Sequence, residues 1–62
     1  MKNKQIIMAL LAKGWTQREL ARRTNIHETK LSAIVNGWLN PSYECRQKIA
    51  NILERQPSEL FQ

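Results

Sequence analysis

Apolar positions recur along the chain at helical spacing, in short blocks separated by glycine, asparagine and proline. Ile7, Leu10 and Leu11 repeat at i, i+3, i+4, which predicts an amphipathic helix over Lys4–Lys13. Gly14 ends it, where a left-handed residue closes a helix, and Trp15 bridges to the next start. Thr16 and Glu19 form a T-x-x-E capping box for a second helix from Gln17 to about Thr24. Leu20 and Ala21 face inward, Ala21 being small enough for a crossing helix to approach. Arg18, Arg22 and Arg23 face solvent. Asn25 accepts the left-handed conformation of a turn, and Ile26 anchors that turn in the core. A third helix starts near His27 or Glu28 and runs to Val35. Leu31, Ile34 and Val35 are its buried stripe, and Asn36 and Gly37 stop it. Trp38, Leu39, Asn40 and Pro41 read as a loop, because Pro41 disfavours helix at Asn40. Ser42 caps a fourth helix reaching about Leu53, with Ile49, Ala50 and Leu53 inward and Cys45 mid-helix. Pro57 suits the first position of a last short helix, and Leu60 and Phe61 close the core.

The pattern specifies an all-α fold of five helices in a single domain, residues 1–62. A domain of this size buries only about 60% of the surface its unfolded chain exposes, so the core is thin. No apolar run approaches the ~18 residues of a membrane span. The basic start followed by Ile6 to Ala12 has the look of a signal peptide. Lys13 interrupts the run, however, and Gly14-Trp15-Thr16 is a poor cleavage site. The cytoplasm is therefore the expected compartment. One cysteine forms no internal disulfide, and Cys45 with His27 does not make a zinc site. No metal, no cofactor and, with no nucleophile–base constellation around His27, no enzyme is expected.

The second and third helices, joined by a tight turn, read as a helix-turn-helix. The outer face of the third helix carries His27, Glu28, Thr29, Lys30, Ser32 and Ala33. Ten Lys and Arg against five Asp and Glu give a net charge of +5. The partners that suit this balance are nucleic acid first and an anionic membrane surface second; a merely solvated face is the plain alternative. A helix fits the major groove, where each base pair shows a distinct pattern of donors and acceptors. Glu28 can accept from the N4 amino group of cytosine there; alternatively it complements the dipole of its own helix. Thr29 can bond a base or touch a thymine methyl, and Ala33 can pack on that methyl. Lys30 suits a phosphate. The free N–H groups at the start of the second helix, with Gln17 in its first turn, suit another. Arg18, Arg22 and Arg23 either touch backbone or are solvated. Trp15 and Trp38 are stacking platforms, or else Trp15 is core and Trp38 shields the loop or lies in a dimer contact.

Five segments together carry a resemblance: G-W-T-Q-R-E-L-A, N-I-H-E-T-K-L-S-A-I-V-N-G, N-P-S, K-I-A-N-I-L and P-S-E-L-F. The chain resembles the phage repressor/Cro-type helix-turn-helix DNA-binding family over essentially its whole length. The resemblance implies a compact five-helix, lambda-repressor-like domain. It implies a bacterial or phage-encoded, nucleoid-associated transcription regulator, a repressor that occupies a two-fold operator as a homodimer on double-stranded DNA. It places Gln17 on a phosphate, bracing the recognition helix, and Asn36 near the phosphate chain. The expected base-reading set is His27, Glu28, Thr29 and Ala33. The expected backbone set is Gln17, Arg18, Lys30, Ser32 and Asn36. The Trp38-Leu39 loop and the C-terminal end are the expected dimer surface, and no sensor domain is expected beyond Phe61. The chain departs from the family pattern at three places. His27 stands where a serine or threonine cap is usual. Glu54 and Arg55 stand where glycine and valine are common, and Arg46 where the residue is commonly apolar. The competing reading is a protein-interaction module of the same fold, such as an antitoxin or the target of an anti-repressor. Glu28 and the apolar Trp38-Leu39 pair favour it.

Overall fold

A computed structural model describes residues 1–61. Five helices follow one another with short connections: α1 (Lys4–Lys13), α2 (Gln17–Thr24), α3 (Glu28–Val35), α4 (Tyr43–Leu53) and α5 (Pro57–Leu60). There is no strand among the described residues. Each boundary has a local cause. The Asn3 and Ser42 side chains accept the amides of Ile6 and Cys45, at 3.0 and 3.3 Å, and cap α1 and α4. Gly14 and Asn25 end α1 and α2 in the left-handed conformation, at φ 71° and 58°. The Gln56 amide donates to Glu59 Oε1 at 3.2 Å, closing the first turn of α5.

The core takes residues from every helix. Ile6, Leu20, Leu31, Ile49 and Leu53 are its largest fully buried side chains, and Leu60 of α5 seals it. Ile26, on the α2–α3 turn, is buried with them. α2 packs against α3 and α4, and α1 spans α3, α4 and α5. Ala21 is buried, as the close approach of α3 to α2 demands. Thr24 is the one buried polar residue among those described, and its hydroxyl donates to Leu20 O at 2.8 Å.

Asn3 ties three elements together. Its amide donates to Val35 O at the end of α3 (2.7 Å), its side-chain N–H₂ donates to Leu60 O of α5 (2.8 Å), and its Oδ1 caps α1. The segment before it therefore lies across the turn after α3. A Cβ on Gly37 would fall 1.9 Å from the Met1 carbonyl oxygen, and Gly37 has φ +79°. Only glycine satisfies both conditions.

Three expectations change, and the start of α3, expected at His27 or Glu28, narrows to Glu28. The buried face of α1 is Ile6, Ala9 and Leu10; Ile7 is half-buried and Leu11 is exposed. The run Ile6–Ala12 is apolar all round, so periodicity alone does not orient it, and the Asn3 bonds to α3 and α5 do. The Thr16–Glu19 capping box is half formed: Glu19 N donates to Thr16 Oγ1 at 3.2 Å, while the Glu19 carboxylate turns to Arg22 and Arg23. Cys45 lies in the first turn of α4, not mid-helix. Glu28 is the first residue of α3, and His27 is its N-cap, with Nδ1 accepting from Thr29 N at 3.2 Å.

The departures from the family pattern have local explanations. His27 performs the capping that a serine or threonine performs elsewhere. Glu54 adopts the left-handed conformation, φ 57°, that a glycine takes without strain, and its carboxylate pairs with Lys13. Arg46 stacks on the Phe61 ring at 5.4 Å and donates to Pro41 O (3.1 Å) and Asn40 Oδ1 (2.8 Å), so its stem and charge are both satisfied.

Candidate nucleic-acid interface

The first turn of α2 and the outer face of α3 meet in a shallow groove of about 480 Å³. Its walls are Gln17, His27, Glu28, Thr29, Ser32 and Ala33, with Trp38 at its edge. Positions 28, 29, 32 and 33 share a helix face by their i, i+3, i+4 spacing, opposite the buried stripe of Leu31, Ile34 and Val35. The groove thus brings together all four expected base-reading residues and two of the five expected backbone residues. His27, Glu28 and Thr29 are exposed; Gln17, Ser32 and Ala33 are half-buried.

Three expected backbone residues lie off this groove. Arg18 reaches it indirectly, its Nε lying 3.5 Å from Glu28 Oε2. Lys30 is exposed on a flank of α3, with its charge near the Cys45 thiol. Asn36 folds back on its own helix, its side-chain N–H₂ donating to Ser32 O (2.8 Å) and Ser32 Oγ (3.3 Å). The Asn36 amide and the Ser32 hydroxyl therefore brace each other at the end of α3.

Other basic side chains are already engaged. Arg22 and Arg23 both pair with Glu19, and Arg23 also lies 4.2 Å over the Trp15 ring, with Lys13 at 5.3 Å. The hydrogen bond from Arg22, assisted by the charges of Arg22 and Arg23, holds the Glu19 carboxyl below its ordinary value. Trp15 is half-buried, packed on the core and covered by cations. Lys2, Lys4, Lys30, Lys48 and Arg55 enter no ion pair among the described residues. The Ser42 hydroxyl, with the nearby charges of Lys30 and Lys48, lowers the Cys45 thiol from its usual value against the opposing effect of burial.

Trp38 is the member of the groove that the site residues expected from sequence leave out. Its signal was its place two residues after Asn36, just beyond the end of α3. Among the described residues, no cluster of three or more His, Cys, Asp or Glu could hold a metal, and no helix is long and apolar enough to cross a membrane.

A family model described as helix-turn-helix matches residues 6–60, nearly the whole chain. No curated protein and no solved structure gave a significant match.

Proposed function

Since the chain belongs to the Cro/C1-type helix-turn-helix family, a family of DNA-binding transcription regulators, we propose that it is a repressor occupying a two-fold operator through α3. The observation that carries this reading is the groove that joins the α2 N-terminus to the outer face of α3. Backbone N–H groups and Gln17 at the α2 end suit a phosphate. His27, Glu28, Thr29 and Ala33 on the α3 face suit base edges in the adjacent major groove. Ser32 lies on that face, Lys30 and Asn36 flank it, and Arg18 adjoins it through Glu28. The phosphate contacts fix register, and the α3 side chains read sequence.

One small domain offers few base contacts, so specific affinity calls for two copies. The domain measures 24 × 23 × 21 Å. Two such domains on half-sites about one helical turn apart, roughly 34 Å, lie within side-chain reach of each other. Leu39 and the C-terminal end supply the contact between them. Repression follows from occupancy alone, since a bound dimer excludes other proteins from the same DNA. The same fold also serves protein partners, and the exposed Met8 and Leu11 on α1 favour that second reading.

Selection of bound sites from random duplex DNA tests the proposal. A two-fold site with half-sites about one turn apart is the expected result. Affinity should fall with salt at a log–log slope on the order of −3 to −6, about −0.9 for each neutralised phosphate. Lys30→Ala should flatten the slope by about 1 per subunit bound, with equal loss on all sequences. Recovery of no sequence preference, with binding instead to a protein partner through α1, would replace this reading by the second.

A further inference from the structure

The loop after α3 sends two neighbouring apolar side chains to different sides of the molecule. Leu39, 40% exposed, lines a cleft bounded by Met1, Gln5, Pro41 and Phe61. Trp38, 79% exposed, lines the groove on the outer face of α3 with Gln17, Thr29 and Ala33. The backbone beneath Trp38 is well anchored. Its amide donates to Ala33 O at 2.9 Å, and the next amide donates to the same oxygen at 3.2 Å. The turn before it is fixed by Gly37, against which the Met1 main chain lies. Trp15, the other indole, is accounted for by the core and by Arg23. Trp38 instead holds a large apolar ring in water, on a polar face, from a rigid support. Covering such a ring is favourable, and its N–H supplies a polar handle at a wet edge.

We propose that Trp38 is a DNA-contacting residue, packing its ring on a deoxyribose beside the bases met by α3 and donating its indole N–H to a phosphate oxygen. The inference rests on the reading of α3 as the DNA-facing helix. Two observations select this occupant. The protein carries a net charge of +5, and Trp38 shares one groove with Gln17 of α2 and Thr29 of α3, the polar side chains that α2 and α3 turn to the same side. A contact between two copies through the whole loop would have to cover Trp38 and Leu39 together, and they open onto different clefts. The contact has a distinctive signature. A neutral side chain releases no counterions, so its loss weakens binding without changing the salt slope. A sugar–phosphate contact carries no sequence information, so base preference stays the same.

The test compares wild type, Trp38→Phe and Trp38→Ala by anisotropy of labelled duplexes, one of them a site recovered from random DNA and one of scrambled sequence. Circular dichroism checks that all three keep their helices. Trp38→Ala should lose affinity about tenfold on both duplexes, with unchanged salt slope and unchanged selected site. Trp38→Phe, which keeps a ring, should lose less. DNA should change the tryptophan emission of wild type, and that change should vanish in Trp38→Phe. Wild-type affinity in Trp38→Ala, on DNA that wild type binds, would overturn this proposal alone. An emission change that follows protein concentration without DNA, and is absent in Trp38→Phe, would also overturn it and assign the ring to self-association. Absence of DNA binding by wild type would overturn the α3 reading and this inference together.

Discussion

Arg18 and Glu28 pair across the α2–α3 turn, Nε to Oε2 at 3.5 Å. Arg18 is the second residue of α2 and Glu28 the first of α3, so the pair links the two helices of the motif on the face that they share. On the face proposed to meet DNA, a carboxylate is repelled by phosphate, and the guanidinium beside it would moderate that repulsion. Both side chains are exposed, so the pair adds at most about 1 kcal/mol to stability.

Replacing Glu28 by Gln separates base reading from helix support. If Glu28 accepts from cytosine N4, the variant loses preference for cytosine at one position per half-site, by about 1–3 kcal/mol. Arg18→Ala, which removes the partner and leaves the carboxylate, should keep that preference while weakening binding overall. Sites selected by wild type and Glu28→Gln decide the matter. Identical preferences would confine Glu28 to the Arg18 pair and the α3 dipole, and leave Thr29 and Ala33 as readers.

Gly37 should tolerate no side chain. Its φ of +79° strains an L-residue, and the Met1 carbonyl occupies the space a Cβ needs. Gly37→Ala should cost roughly 1–3 kcal/mol in chemical denaturation. Gly37→Asn tests which cause dominates, since asparagine accepts positive φ more readily than alanine. A loss in Gly37→Asn close to that of Gly37→Ala is expected, because the collision is with main chain. An asparagine variant as stable as wild type would show that the N-terminal segment does not press on the turn.

Glu54→Gly should raise the melting temperature at neutral pH by a few degrees. The left-handed conformation at φ 57° strains glutamate and suits glycine, and the exposed pair with Lys13 is a small loss. The gain should grow in acid, because only the wild type has the Lys13 pair to lose there. The hydrogen bond and charge of Lys13 hold the Glu54 carboxyl below its ordinary value, as Arg22 does for Glu19. A depressed folded-state value adds stability above the unfolded value, about 4.3, and that stability is lost as pH falls through the folded one. Wild-type melting temperature should therefore be level near neutrality and fall below about pH 4.3. Glu19→Gln should make that fall shallower. A wild-type curve that rises in acid would contradict the pairing.

Most of the architecture was legible because each helix carries its own punctuation. Gly14, Asn25 and Pro57 mark ends and starts by backbone geometry, and Thr16 and Ser42 by side-chain oxygen. Residues one helical turn apart then place Leu20, Leu31 and Ile49 in the core. What stayed hidden depends on partners distant in sequence. Nothing near Asn3 announces its bonds to Val35 and Leu60, and those bonds orient α1, which is why Leu11 looked buried in the sequence and is exposed. The polar face of α3 was legible from the period of its apolar stripe. The Arg18–Glu28 pair, the inward fold of Asn36 and the position of Trp38 beside the groove were not, because each follows from how α2, α3 and the Gly37 turn are set against one another.

The central claim is that α3 lies in the major groove. Interference by methylation of the selected site tests it most directly, since one reagent marks guanine at N7 in the major groove and adenine at N3 in the minor groove. Guanine N7 methylation at matching positions in the two half-sites should abolish binding, and adenine N3 methylation between the contacted phosphates should leave it intact. Interference confined to adenine N3, or none at either atom, would contradict the placement of α3 and with it the roles of His27, Glu28, Thr29 and Ala33.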